Sequence, residues 1–233
     1  MIIRPAQRAD LTPAAKVCAK AFFDTELFGE VIHPYRHQYP DDMHLYWLKN
    51  FRSGLNRRDN HILVATVSEP EESQPTVVGV AQWIRRRAHP SSQAQPSSAS
   101  SASSSEQIGA VEEQEEEELP SNRAADPAKL DVLQRVGPFV DHKWSGKRAE
   151  TWYLGLLAIH PDYQGRGIGK RLVAWGFERA KADAVCVSVI SALGKDGFYR
   201  RCGFDVDVGY ATEGEGNPLS GVPGGLIMFR DQV

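Results

Sequence analysis

The chain has 233 residues, 41% of them hydrophobic, with 27 Lys and Arg against 30 Asp and Glu for a net charge of −3. That length supports one substantial domain with its own core, and the longest apolar run, near Trp152 to Ile159, is too short to cross a bilayer. The amino terminus lacks the apolar stretch of a secretory signal, and three scattered cysteines (Cys18, Cys186, Cys202) with no CxxC pair speak against a disulfide framework or a structural zinc site, so the cytoplasm is the expected compartment, with the nucleus second.

In chain order, Ile2 to Pro5 reads as a short strand. A turn at Ala9-Asp10-Leu11 leads into a helix ending near Phe23, with Ala15, Val17, Cys18, Ala21 and Phe22 on its apolar face. Residues 24–40 read as a loop rich in Phe, His, Tyr and Pro. Asp41 and Asp42 start a second helix that carries Leu45, Leu48, Phe51 and Leu55 at helical spacing. His61 to Val67 and Val77 to Ile84 form a predicted hairpin.

From about 89 to 122 the large apolar residues disappear, first into Ser, Ala and Gln and then into Glu. Such a segment buries too little apolar area to offset its chain entropy, so a disordered insertion is expected. It holds seven glutamates and no Lys, Arg or Asp, which leaves 27 basic against 23 acidic residues in the remainder, net +4. A mildly basic domain suits an anionic ligand; neither a nucleic-acid nor a membrane partner is expected.

After the insertion a helix is predicted over 127–142, then a strand over Trp152–Ile159 apolar enough to be buried on both faces. A helix over 168–182, a strand over 185–190, a short helix over 196–202 and two strands near 204–208 and 225–230 complete the chain. The fold class is α+β, one domain over 1–233 with a central mixed, mostly antiparallel sheet, interrupted by the insertion and not divided by it.

The chemistry is concentrated where the buried strand ends, at Ile159-His-Pro-Asp-Tyr-Gln-Gly-Arg-Gly-Ile-Gly-Lys170. Alternating glycines at a strand-to-helix junction let backbone amides converge, and the helix dipole adds positive potential, which makes an anion site suited to a pyrophosphate. Arg166, Lys170 and Arg171 lie within reach of outer phosphates. A Rossmann fingerprint fails because Lys170 stands where the last glycine belongs. A P-loop fails at Gln164 and Arg171.

The remaining pattern, Gln164-x-x-Gly167-x-Gly169, closely resembles the GNAT superfamily of acyl-CoA-dependent N-acetyltransferases, and uncharacterised fungal members in particular. The resemblance implies that Gln164, Gly165, Arg166, Gly167, Ile168, Gly169 and Lys170 hold the CoA pyrophosphate while Leu157, Ala158 and Ile159 pair with the pantetheine arm. It implies the same donor site for Ser191, Phe198 and Tyr199 after the following strand. In Tyr199-x-x-x-Gly203-Phe204 the tyrosine matches the family residue that protonates the leaving thiolate. Physically, a phenol can donate where negative charge develops; the plainer reading of Tyr199 is a core aromatic. By strand alternation the face of Ile159 should present Tyr153, Gly155 and Leu157, so the carboxylate base of many relatives is missing. Glu150, Asp24, Glu26, His33 and His37 are weaker candidates, and Phe28, His33, Tyr35 and His37 could line an acceptor pocket. Trp47, Trp83, Trp144, Trp152 and Trp175 read as mostly core, with Trp83 ending a strand near the expected cleft, and Arg85-Arg86-Arg87 reads as a solvated strand end.

The function implied is transfer of an acetyl or other acyl group from acetyl-CoA to a primary amine by direct attack in a ternary complex, with no metal. Two alternatives are a non-catalytic acyl-CoA sensor and an enzyme that acetylates protein N-termini or lysines.

Overall fold

The computed structural model describes residues 1–68, 75–88 and 118–232. Seven strands form a single sheet in the order β1-β2-β3-β4-β5-β7-β6. They are β1 (Ile2–Pro5), β2 (Asn60–Val67), β3 (Thr76–Arg86), β4 (Thr151–Ile159), β5 (Cys186–Ser191), β6 (Val206–Tyr210) and β7 (Leu226–Arg230). Among the described residues only β4 and β5 run parallel, with helix α4 (Ile168–Asp183) as their crossover. The predicted α+β sheet is therefore present, mixed and mostly antiparallel.

Helices cover both faces. On one, α1 (Leu11–Ala21) and α2 (His44–Gly54) bury Leu11, Trp47 and Phe51 against Val64, Val80, Leu156 and Ala158. Further along that face, α3 (Val132–Val140) sets Val132, Val136 and Val140 against Ile227 and Phe229. On the other, α4 and α5 (Asp196–Cys202) enclose Trp83, Leu154, Leu172, Val189, Tyr199 and Phe204. Residues 24–40 are not a plain loop: Glu26–Ile32 forms a turn of π-helix.

Two features depart from a regular strand reading. Gln82 pairs with Leu156 but Trp83 pairs with Leu154, so Gly155 is an extra residue, a β-bulge in β4. The bulge reverses the alternation. Tyr153, Leu156 and Ala158 face α1–α3, whereas Trp152, Leu154, Leu157 and Ile159 face α4. Tyr153 and Ile159 thus lie on opposite faces, contrary to the alternation drawn from sequence. β4 is also not buried on both faces throughout, because Gly155 is exposed at its centre.

Trp83 is a core residue, as read for the tryptophans, and Arg85 is more deeply placed than expected. Trp83 is fully buried on the α4 face, and its Nε1 donates to the Leu172 carbonyl at 3.2 Å. α4 accommodates the indole with Gly176, where a Cβ would lie 2.2 Å from the ring. Arg85 is only 6% exposed and bridges Glu150 (2.5 Å) and Asp183 (2.9 Å), which corrects the solvated-run reading for this arginine. Arg86 lies over the Trp144 ring and pairs with Asp141 at 2.9 Å.

Residues 89–117, most of the predicted insertion, lie outside the described residues. Its last five residues are described. Leu119 packs against the α1–α2 cluster, and Asn122 bonds His33 and the Ala124 amide.

Candidate active site

The glycine loop is built outward from the end of β4. The His160 amide donates to Val78 at 2.9 Å, extending the ladder by one bond. Pro161–Tyr163 then forms a 3-10 turn, capped by His160 Nδ1 accepting from the Asp162 amide at 3.3 Å. The Gln164 side chain donates back to the Ile159 carbonyl at 3.2 Å, which ties the loop to the strand. Gly165 and Gly167 follow at φ +74° and +75°, a region that disfavours side chains. A Cβ on either would meet nothing within 4 Å, so the requirement is backbone conformation, and open space lies in front of the loop.

Gly167 leads directly into α4, a 16-residue helix. Its first-turn amides have no carbonyl one turn ahead, and the macrodipole places positive potential there. Arg166 folds back, donating to the Asp162 carbonyl at 2.9 Å and lying over the Tyr163 ring. It braces the turn, while Lys170 and Arg171 remain exposed beside the loop.

The second element is a notch in the sheet. β5 pairs with β4 only from Thr151 to Leu154, opposite Cys186 to Val189. Leu156 to Ile159 pair with β3 on one side, and among the described residues Gly155 to Ile159 pair with no strand on the other. A free strand edge offers a row of N–H and C=O groups to an extended ligand. Gly169 borders the notch; a Cβ there would lie 3.2 Å from the Phe198 ring and 3.8 Å from Ile159. Leu157 is half-buried, and Ala158 is buried towards α1–α2, leaving it only its backbone to offer. Ser191 ends β5 with its hydroxyl donating to Ala192 at 3.2 Å and its carbonyl accepting from Gly225 at 2.8 Å.

Tyr199 lies on α5, packed edge-on against Phe198 and Phe204 at 5.2 and 5.7 Å between ring centroids. The spacing of its motif has a structural cause. Gly203, at φ +110°, ends the helix, its amide bonds Arg200 at 3.0 Å, and the Phe204 amide bonds the Tyr199 carbonyl at 3.1 Å. Burial lifts the Tyr199 pKa well above the ordinary phenol range, with Tyr153 adding to the effect.

A family model described as an acetyltransferase (GNAT) domain matches residues 134–206, from within α3 to the start of β6. The match spans β4, the glycine loop, α4 and Tyr199. An acetyltransferase from Stachybotrys chartarum is 24% identical over 88% of this chain and 80% of its own length. Among solved structures, histone acetyltransferase HPA2 and related acetyltransferase from Corynebacterium glutamicum superposes with TM-score 0.56 at 18% identity, over 99% of this chain and 96% of that one, a likeness of fold. A PaiA N-acetyltransferase from Thermoplasma acidophilum, in complex with coenzyme A, matches at TM-score 0.47 and 15% identity over 99% and 98% of the two chains.

The base and pocket candidates separate. His33 is fully buried, its Nδ1 bonded to the Phe28 carbonyl at 2.6 Å and its ring stacked on Trp47; burial lowers its pKa. It is a packed core histidine. Glu150 is committed to Arg85. Phe28 joins the aromatic cluster of Phe22, Tyr46 and Trp47. Asp24, Tyr35 and His37 are exposed, with His37 edge-on to Phe23. The residue missed from sequence is Gly155, whose exposure at the bulge opens the centre of the sheet between Ile84 and Tyr153, each 3.4 Å from its missing Cβ. Among the described residues no group of three or more His, Cys, Asp or Glu is arranged to hold a metal, and no helix is long and apolar enough to cross a membrane.

Proposed function

We propose that this GNAT domain is an N-acyltransferase that takes its acyl group from acetyl-CoA and transfers it directly to a primary amine. One observation carries the reading: the open edge of β4 leads straight into the Gly165–Gly167 turn and the start of α4. A ligand with an amide-bearing arm and a pyrophosphate, the shape of CoA, fits that sequence of groups. The loop amides would receive the pyrophosphate and the free edge of Gly155 to Ile159 the pantetheine.

In the reaction the amine nitrogen attacks the thioester carbonyl; a C–N bond forms, the C–S bond breaks, and sulfur leaves as thiolate. Strand amides near the bulge would polarise the carbonyl. Tyr199 would donate a hydrogen bond to the departing sulfur, and its raised pKa keeps the phenol protonated for that role. β4 carries no Asp or Glu from Thr151 to Ile159, so the amine proton passes to water. Arg166 serves the loop through its backbone and by bracing the turn.

The lack of a strand carboxylate also favours a second reading, an acyl-CoA sensor. A thiol-release assay with a panel of amines separates the two: an enzyme releases CoA in proportion to added amine, and a sensor binds CoA without amine-dependent release. Gly169→Glu tests the site itself. Its side chain would press on Phe198 and bring a carboxylate to the phosphate loop, so CoA binding should be lost; unchanged affinity in a folded variant would remove the assignment.

A further inference from the structure

A cavity of about 460 Å³ lies where the end of α2 meets the start of β2 and the middle of β3. Ile84 forms one wall, and its Cδ1 lies 3.4 Å from where a Cβ of Gly155 would be, so the cavity adjoins the exposed bulge of β4 on the α1–α3 face. The other walls are polar: Asn50, Arg57, Arg58, Asn60 and Gln82 carry hydrogen-bond donors, while the Ser53 hydroxyl donates to the Asn50 carbonyl at 3.1 Å. Part of this lining is held in place. Gln82 Nε2 donates to Asn60 Oδ1 at 2.7 Å, and Asn60 Nδ2 donates to the Gly54 carbonyl at 2.8 Å. Gly54 permits that seat, since a Cβ there would stand 2.5 Å from Asn60 Nδ2.

The charge balance is one-sided. Asp59, the one carboxylate in the lining, is paired with Arg87 at 3.1 Å. Among the described residues Arg57 and Arg58 enter no ion pair. Two exposed, unpaired arginines lining the same cavity as a hydrogen-bonded pair of carboxamides suit an oxyanion and repel a second cationic group.

We propose that this cavity binds the acid group of the acceptor, so that the substrate is a small amine that also bears a carboxylate or a phosphate. The inference rests on the acyl-transfer reading above, which sets the thioester carbonyl near the bulge and so brings the attacking amine close to Gly155. With its acid end among Arg57, Arg58 and Gln82, such a molecule would reach past Ile84 to the bulge with its amino group. Polyamines, cationic at both ends, are poor substrates on this account.

The test uses the full chain saturated with CoA and three probes: 4-aminobutyrate, 2-aminoethyl phosphate and butylamine. Side-chain amide NMR signals of Asn50, Asn60 and Gln82 should shift saturably with the two acidic probes and not with butylamine, and the tighter of the two identifies carboxylate or phosphate as the source. With acetyl-CoA, the ratio of kcat/KM for the tighter acidic amine over butylamine should fall about tenfold or more in Arg57→Gln/Arg58→Gln, and recover partly in Arg57→Lys/Arg58→Lys. Equal shifts by all three probes, shifts confined to other residues, or an unchanged ratio would overturn the proposal. The backbone amides of Gly165 to Lys170 report separately on CoA. If they move and the cavity signals do not, the acceptor subsite alone falls. If CoA leaves them unmoved, the donor reading falls and takes the proposal with it.

Discussion

Replacing Tyr199 with Phe removes one hydroxyl and leaves the ring between Phe198 and Phe204. The size of the effect depends on whether the phenol gives up its proton or only shares it. An ordinary phenol already sits about 1.5 units above an ordinary thiol, and burial raises Tyr199 further above the ordinary phenol value of 10.0. Full proton transfer to the thiolate is therefore uphill, so the hydroxyl acts as a hydrogen-bond donor. A hydrogen bond to a charged group contributes about 1.5–3 kcal/mol, and each 1.36 kcal/mol is tenfold in rate. The chemical step of Tyr199→Phe should fall roughly 10- to 150-fold, with CoA affinity nearly unchanged. Single-turnover kinetics at saturating acetyl-CoA measures the step, and calorimetry measures the affinity. The pH dependence has a definite sign. The protonated phenol is the working form, so its contribution persists up to pH 10 and is lost only above that, and the loss should vanish in Tyr199→Phe. An undiminished chemical step, or a tyrosine-dependent fall in rate below pH 9, would refute the reasoning.

Gly176→Ala sets a methyl 2.2 Å from the Trp83 ring; overpacking of about 1–3 kcal/mol outweighs a helix-propensity gain of about 1 kcal/mol, so the urea midpoint should drop with the m-value unchanged. The carboxyls of Asp10, Asp42, Asp183 and Asp231 are lowered from 3.8, chiefly by hydrogen bonds from Arg4, Arg123, Trp152 and Arg148 respectively. The unfolded chain then binds more protons than the folded one in acid, so stability should be full above about pH 4 and decline as pH falls through the folded values; Asp42→Asn should shallow that decline in pH-dependent melting. Deleting 90–117 through a short flexible linker should leave the melting temperature and CoA affinity nearly unchanged, as that composition buries little apolar area. Extending the deletion to 122 should lower stability by about 1–2 kcal/mol, because Leu119 packs on the core and Asn122 bonds His33.

What the sequence conveyed and what it hid divide along the range of the interactions. The loop from Gln164 to Lys170 was readable because each requirement is local: a strand end, a proline turn, glycines at positive φ, a helix start. The bulge at Gly155 was not, since it depends on how β3 registers against β4, and it reverses the assignment of faces for every residue beyond it. Arg85 looked solvated beside two other arginines; its burial depends on Glu150 and Asp183, 65 and 98 residues away. Trp83 followed the same rule, since its seat is a glycine on α4. His33 could be placed in a pocket or in the core from sequence, and only the stacking of Trp47 and the bond to Phe28 decide for the core. The cavity proposed for the acceptor draws on α2, β2 and β3 together, and no single stretch announces it.

The central claim is that the loop opening α4 binds CoA through its backbone, and a matched pair of glycine substitutions tests it most directly. Gly167 and Gly146 both adopt positive φ, +75° and +57°, and at both a Cβ would meet nothing within 4 Å. A valine imposes comparable backbone strain at either position, but only Gly167 directs amides towards the proposed pyrophosphate. In calorimetry with CoA, the unmodified chain and Gly146→Val should bind alike, while Gly167→Val should lose at least about tenfold in affinity, or 1.4 kcal/mol. Equal affinity in the two variants, or no binding by the unmodified chain, would contradict the account.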